Sequence, residues 1–427
     1  MPNMPANKKK LGLIMLTTLV TGNMIGSGIF LLPASLASIG SITIYSWVLT
    51  AFGAMALAFM FADLSTRISS TGGPYAFARA GMGDFIGFQT AYSYWLSAWI
   101  GSAGTAIALV GALRILFPAL ADPINTSITA ISVVWLLTFI NCCGIRAASW
   151  IQIVSTILKL LPIIFIIVFG WSYIEPDYFI TSYNVTTPAI SDLSAIAMGS
   201  AITLWAFIGL ESATVPASSV INPKKTIPIA TIVGTSIAAI VYIASSTIIT
   251  GIVPNVILQE STAPFAVAAS IMLGPWGERV IAIGAAISCF GALNGWILIQ
   301  GQVAMAAAND GMFPKIFATK ALEDTPRIAM LVTAVLMSIL LLLTSSPNLI
   351  KQFEMIILLA VLSTLIPYLY TATAQLILGK AWQRVLAIVC ALFVIAAIAS
   401  TGQEVVYYGI LLFLSSFPIY GLSRKTE

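Results

Sequence analysis

The chain contains no histidine, which excludes histidine-based acid–base catalysis and histidine-ligated zinc. Its four cysteines, Cys142, Cys143, Cys289 and Cys390, show no C-x-x-C spacing. They read as small core residues, not as a disulfide framework or metal site, and no metal or cofactor is implied. Charge is scarcer still: only 8% of the 427 residues are Asp, Glu, Lys or Arg, where a soluble domain carries roughly 25%. Such a chain cannot cover a water-facing surface. With 59% hydrophobic residues and a mean hydropathy of +1.00, it is an integral membrane protein.

What the chain has in place of charge is apolar runs. About twelve reach the ~20 residues that a spanning helix needs: 11–36, 41–63, 85–117, 124–143, 150–172, 193–215, 228–253, 279–305, 327–346, 353–378, 381–400 and 404–422. The reading is all-α, one transmembrane domain over 11–422 between short cytoplasmic tails at 1–10 and 423–427. With the N-terminus placed in the cytoplasm, Arg114, Arg279 and Lys351 fall outside and Lys159 falls within a span; the remaining Lys and Arg all lie inside. That bias puts both termini in the cytoplasm and turns the net charge of +4 into topology, not a nucleic-acid footprint. "KKK", an apolar run and "PASLAS" loosely imitate a signal peptide, but cleavage would remove the helix with the most informative motif. Short loops without a glycosylation-rich outer domain favour a bacterial inner membrane.

That motif is "TGNMIGSGIFLLP", residues 21–33, where Gly26 and Gly28 flank Ser27 inside the first span. Backbone facing lipid must be bonded internally, so a broken helix is tolerated only where it lines a protein-walled cavity. Glycine lets the chain unwind and a ligand approach closely. A second candidate break lies in the sixth span, "LWAFIGLESA", where Gly209 is followed by Glu211. Paired interruptions at matching points of two halves indicate a midplane substrate site in an inverted-repeat transporter. The half-helix after Gly28 offers free N–H groups and a positive dipole end to a carboxylate. Unwound carbonyls near Ile25 and near Ala206–Ile208 can receive an ammonium. These two handles suit an α-amino acid or an amine. Glycines that merely bring helices close account for either motif alone but poorly for both.

Six stretches, "GNMIGSGIFLLPASLA", "TGGPYAFARAGMG", "LWAFIGLESATVPASSVINPKKTIPIA", "STAPFAVAA", "AAANDGMFPKIFA" and "IPYLYTATA", resemble the amino acid–polyamine–organocation superfamily of transporters. Within it the chain is most similar to the basic amino acid/polyamine antiporters of the arginine/agmatine type. The likeness runs in order over nearly the whole chain. It implies a leucine-transporter-like fold with discontinuous first and sixth helices. The inverted repeats would cover about 11–172 and 193–378, and the two further helices at 381–422 often carry a homodimer interface. It also implies a secondary transporter of amino acids or polyamines, an antiporter working by alternating access. By family position Ser27 and Gly28 meet the substrate carboxylate, Trp205 flanks the pocket and Trp296 covers the substrate side chain. Glu211, Tyr94 and Tyr368 line a closing gate toward the cytoplasm. Residue chemistry fits two of these roles. Trp296 lies mid-span beside Gly295 and Asn294, where an aromatic face can stack on a cation. A carboxylate such as Glu211 is costly in a membrane and so faces a cavity or partner.

Lys159, in "STILKLLPII", departs from that antiporter pattern. An isolated intramembrane lysine costs at least ~2.5–3.5 kcal/mol on insertion scales. Thirteen residues, about 20 Å of helix, separate it from Arg146, too far for easy snorkelling. Pro162 one turn later is a local helix perturbation. The K-x-x-P arrangement resembles proton-coupled or sodium-independent members of the superfamily, in which the ammonium takes the place of a structural sodium ion. Lys159 is therefore expected against the unwound part of span one, coupling protons to transport. A proton-coupled amino acid symporter is the alternative to exchange. Ala98, Ser102 and Ala360 stand where arginine exchangers carry Cys, Asn and Ser, which removes partners for a guanidinium and leaves lysine, ornithine, a diamine or a neutral amino acid open. A membrane enzyme would need clustered titratable groups, and a channel rings of like charge or a carbonyl filter; neither pattern is present.

Overall fold

The computed structural model describes residues 11–68, 70–143, 145–217, 220–318 and 326–424. Lys8, Lys9, Lys10, Lys320 and Lys425, which entered the charge reading, lie outside the described residues, as do the side chains of Arg146 and Arg424. The first half of the chain forms α1 (Leu13–Met24), α2 (Ser27–Ala37), α3 (Thr43–Arg67), α4 (Pro74–Met82), α5 (Asp84–Leu113), α6 (Pro123–Cys142), α7 (Ile145–Phe169) and α8 (Pro176–Thr181). The middle forms α9 (Asp192–Phe207), α10 (Pro223–Ile252), α11 (Asn255–Glu260), α12 (Pro264–Leu273) and α13 (Pro275–Asn309). Then follow α14 (Arg327–Leu343), α15 (Leu349–Leu378), α16 (Ala381–Ser400), α17 (Gln403–Leu414) and α18 (Ser416–Arg424). No strand occurs among the described residues beyond an isolated parallel bridge, Leu11 to Val220. Ten helical stretches are long and apolar enough to cross a membrane, and Leu13–Ala37 counts as one across its break. The apolar stretch Ile157–Tyr173 and α14 are shorter.

Local chemistry sets several ends. The Asp122 carboxylate accepts from the N–H groups of Ile124 and Asn125, both at 3.0 Å, and Pro123 starts α6 without an N–H to waste. Asn348 caps α15 through the Lys351 N–H at 3.0 Å. Pro162, expected to perturb its helix, is instead contained in an unbroken α7. A glycine on α13 makes room for it: a Cβ on Gly284 would lie 2.7 Å from Pro162 Cγ.

Burial orders the bundle from the inside out. The apolar window of α5 is 94% buried, so this helix is the central post, packed against α13 and α15. The windows of α16 and of Gln403–Gly421 are only 28% and 11% buried, so these helices stand at the periphery.

The end of the bundle where α1 begins gathers basic side chains and is tied together by them. Asp63 on α3 pairs with Arg67 and accepts from Gln375 Nε2 and Gln383 Nε2, both at 2.8 Å. Arg67 also donates to Gln375 Oε1 at 2.5 Å and to the Leu378 carbonyl at 3.0 Å. Nearby, Arg79 pairs with Asp84 at 2.8 Å and Asp310 at 3.1 Å, and Tyr75 donates to Asp310 at 2.7 Å. Burial and the Asp310 carboxylate push the Tyr75 phenol well above its usual range. The Asp63 cluster binds α3 to the α15–α16 turn. Asp63→Ala strands two amides and a guanidinium, a loss of about 1–3 kcal/mol. The thermal unfolding midpoint in detergent is expected to drop by several degrees; an unchanged midpoint would show that the cluster is not a fastening.

Candidate functional site

Two broken helices meet at the centre. In the first, Ile25 (φ −75, ψ 84) and Gly26 (φ −128, ψ −127) interrupt the helix, and α2 starts at Ser27, two residues before the half-helix expected after Gly28. In the second, α9 stops at Phe207, Ile208 is extended, and Gly209 takes φ +110 before a 3-10 turn over Ser212–Thr214. That backbone favours glycine, and so does the space: a Cβ on Gly209 would lie 3.3 Å from Asn23 Cβ and 3.4 Å from Trp296 Cζ2. A Cβ on Gly28 would lie 3.2 Å from Ala206 and from Trp205 Cδ1. The glycines let the two breaks touch.

A broken helix frees carbonyls, and buried carbonyls must be satisfied. Regular α-helix would bring the Gly26 N–H to Gly22 O; it turns to Met24 O at 2.9 Å instead. Lys159 Nζ takes Gly22 O, at 2.5 Å, and is itself fully buried. The next carbonyl, Asn23 O, accepts from Trp296 Nε1 at 3.4 Å. At the second break the Leu210 N–H reaches Phe207 O, and Ala206 O accepts from Tyr242 Oη at 2.9 Å. Three side chains from three other helices thus collect the freed carbonyls. Lys159 thus lies at the first break, on the carbonyl that the unwinding frees. One expectation is corrected: the Ala206 carbonyl, read as free to receive an ammonium, is already engaged.

Between the breaks lies a small cavity lined by Asn23, Met24, Gly26, Ser27, Gly28, Thr105, Trp205, Ile208, Ala292 and Trp296. Its space is about 20 Å³, room for a water or two. An amino acid or diamine fits only once the walls move apart. Ser27, Gly28, Trp205, Ile208 and Trp296 were expected on this wall and stand there. Ile25, Ala206, Ala98, Ser102 and Ala360 were expected too and are not part of it. Ile25 is buried in the apolar core. The Ser102 hydroxyl bonds its own helix at Ala98 O, 2.8 Å away, with Gln300 Oε1 at 3.5 Å. Ala360 lies near Gly101, where an added Cβ would come within 3.5 Å of it.

The polar lining is a short chain. Trp205 Nε1 donates to Ser27 Oγ at 3.3 Å, and Ser27 Oγ and Thr105 Oγ1 are 3.3 Å apart. Asn23 Nδ2 donates to Ser212 Oγ at 3.0 Å, joining the two breaks, while Asn23 Oδ1 has no hydrogen-bond partner among the described residues. Sequence reasoning missed Asn23 and Thr105. An amide inside an apolar run was a usable signal for Asn23. Thr105 gave none, because a threonine in a helix ordinarily bonds the carbonyl one turn back, and Thr105 does so at Gly101 O, 3.1 Å.

Glu211 lies at the second break, beside Gly209 and outside the cavity lining. Its carboxylate accepts from Tyr94 Oη at 2.7 Å, Tyr368 Oη at 2.5 Å and the Gly209 N–H at 3.2 Å. All three side chains are buried. Phe61 stacks edge-on against Tyr368, with ring centroids 5.4 Å apart. Tyr94 belongs to α5 and Tyr368 to α15, so one carboxylate fastens both to the break after α9.

Comparison with known proteins accords with this arrangement. A family described as amino acid permease matches residues 11–426. The cadaverine/lysine antiporter of Escherichia coli (strain K12) is 38% identical over 371 residues, covering 86% of this chain and 83% of that protein. The putrescine transporter PotE of the same strain is 35% identical over 426 residues, covering 98% of this chain and 97% of the relative. PotE of Haemophilus influenzae (strain ATCC 51907 / DSM 11121 / KW20 / Rd) is 35% identical over 427 residues, covering 98% of each.

Proposed function

The chain belongs to the amino acid permease family, and from that premise we propose that it exchanges a basic amino acid for a related amine by alternating access. It is a multi-pass membrane transporter and not an enzyme. The observation that carries the reading is the small cavity at the meeting of two interrupted helices, with a buried carboxylate at the second break. Ser27 and Gly28, at the N-terminus of α2, offer N–H groups to a substrate carboxylate. Asn23 Oδ1 is an acceptor for an ammonium. Trp205 and Trp296 give aromatic faces to an aliphatic or cationic tail. The relatives are named for cadaverine, lysine and putrescine, which favours a basic amino acid or diamine of that kind over arginine.

The basic end faces the cytoplasm of a bacterial inner membrane, and the Glu211–Tyr94–Tyr368 cluster is the inner gate. The repeats run over α1–α7 and α9–α15, related by inversion, and the thinly buried α16–α18 carry a homodimer contact. Purified protein in liposomes preloaded with lysine, ornithine, cadaverine, putrescine, arginine or neutral amino acids, each at two pH values, tests the assignment. Labelled lysine or putrescine is expected to enter fast only against an internal diamine or basic amino acid. Equal uptake into empty liposomes would refute exchange. Lys159 supports the second reading, proton-coupled uptake, because it places a lone buried ammonium on the carbonyl freed by the first break.

A further inference from the structure

We propose that Gly101, with Thr105 one turn on, forms a seat on α5 for the Trp205 indole, and that this seat controls whether the cavity closes over its occupant. The inference rests on the transport reading above. Of the residues lining the cavity, Trp205 is the most exposed, half-buried where the others are buried. It occupies the last turn of α9, immediately before the break. The wall residue with one face in the cavity and another outside it is the natural lid.

The indole is held on two sides and at one atom. On one side a Cβ at Gly28 would come within 3.2 Å of its Cδ1. On the other, a Cβ at Gly101 would stand 2.8 Å from Cζ3 and 2.5 Å from Cη2, closer than side-chain atoms approach one another. Nε1 is anchored to Ser27 Oγ at 3.3 Å; Ser27 meets Thr105 Oγ1 at 3.3 Å, and Thr105 donates to Gly101 O at 3.1 Å. Gly101 lies deep inside α5, where ordinary helical backbone asks for no glycine and glycine weakens the helix. Its place is explained by the room it leaves for the ring. A methyl group there meets the benzo edge of the indole, while the pyrrole edge faces Gly28. The ring must then leave its seat, and with it the bond to Ser27.

Counterflow of labelled lysine or putrescine into amine-loaded liposomes tests this. In Gly101→Ala, exchange is expected to fall about tenfold, the scale of one overpacked contact, with the apparent KM and the maximal rate both affected because a lid serves binding and turnover together. Trp205→Phe removes the benzo edge, so the Gly101→Ala/Trp205→Phe protein should recover most of the activity of Trp205→Phe alone. A mere folding defect at Gly101 would not be rescued by a smaller ring. Hydroxyl-radical footprinting of purified protein reads the same seat without any substrate: labelling of Trp205 should rise in Gly101→Ala. Wild-type exchange in Gly101→Ala, a double variant no better than Gly101→Ala, or unchanged Trp205 labelling each overturns the seat. Absence of counterflow in the wild type would instead overturn the transport assignment and leave the footprinting result to decide the seat.

Discussion

Glu211→Ala is expected to reduce exchange by about 100-fold while the protein still folds. The carboxylate accepts from two tyrosine hydroxyls and one backbone N–H, all in the buried interior. Each buried donor left without an acceptor costs roughly 1–3 kcal/mol, and about 2.7 kcal/mol already corresponds to a hundredfold change. The loss falls on function because the three donors sit on different pieces of the machine: α5, α15 and the break after α9. Alanine unfastens α5 and α15 from the second break, so the closed state loses its seal together with a fully buried carboxylate. Glu211→Gln keeps the shape and one acceptor oxygen, and should lie between alanine and wild type. Initial counterflow rates, with size-exclusion profiles to verify folding, decide the matter; near-normal exchange in Glu211→Ala would remove the carboxylate from the mechanism.

Lys159→Met is expected to lower transport about tenfold and to erase any response to a transmembrane proton gradient. Methionine has a similar length and no branching, so it fills the same channel without the charge. Burying that charge is costly on any insertion scale, and folding should therefore tolerate its removal. What disappears is the charge-assisted hydrogen bond to Gly22 O, worth about 1.5–3 kcal/mol, on the very carbonyl that the first break releases. Proton loss from the wild-type ammonium would weaken the same bond, so protonation and the geometry of the break are linked: a ligand, here a proton, shifts a conformational equilibrium only through such a differential contact. Uptake measured with and without an inward proton gradient separates the readings. A gradient effect in the wild type that vanishes in Lys159→Met supports proton coupling. A variant that keeps the gradient effect makes Lys159 a structural plug for Gly22 O.

The parts of the site written in local sequence were legible beforehand. Gly26, Gly28 and Gly209 mark the breaks because only small residues let a buried helix unwind and two backbones touch. Glu211 was singled out because a carboxylate inside a bilayer is too costly to be idle. Ser27, Trp205 and Trp296 followed from resemblance and do line the cavity. Ala98, Ser102 and Ala360 followed from the same resemblance and do not line it. Alignment carries over a position along a helix, but not which neighbours the fold packs around it: a Cβ on Gly101 would meet both the Trp205 ring and Ala360. Thr105 was invisible because its sequence context matches that of many helical threonines that touch only their own backbone.

By itself the sequence determined the solvent, the helical class and the places where helices must stop. A bilayer core cannot bond to backbone, so scarce charge, long apolar runs and misplaced glycines each have few physical solutions. Only the tertiary structure decided how the broken ends are satisfied. Lys159 reaches Gly22 across 137 positions of chain, Tyr368 reaches Glu211 across 157, and Trp296 reaches Asn23 across 273. Such pairings depend on which helix faces are brought together by packing, and no periodicity or composition along the chain encodes that choice.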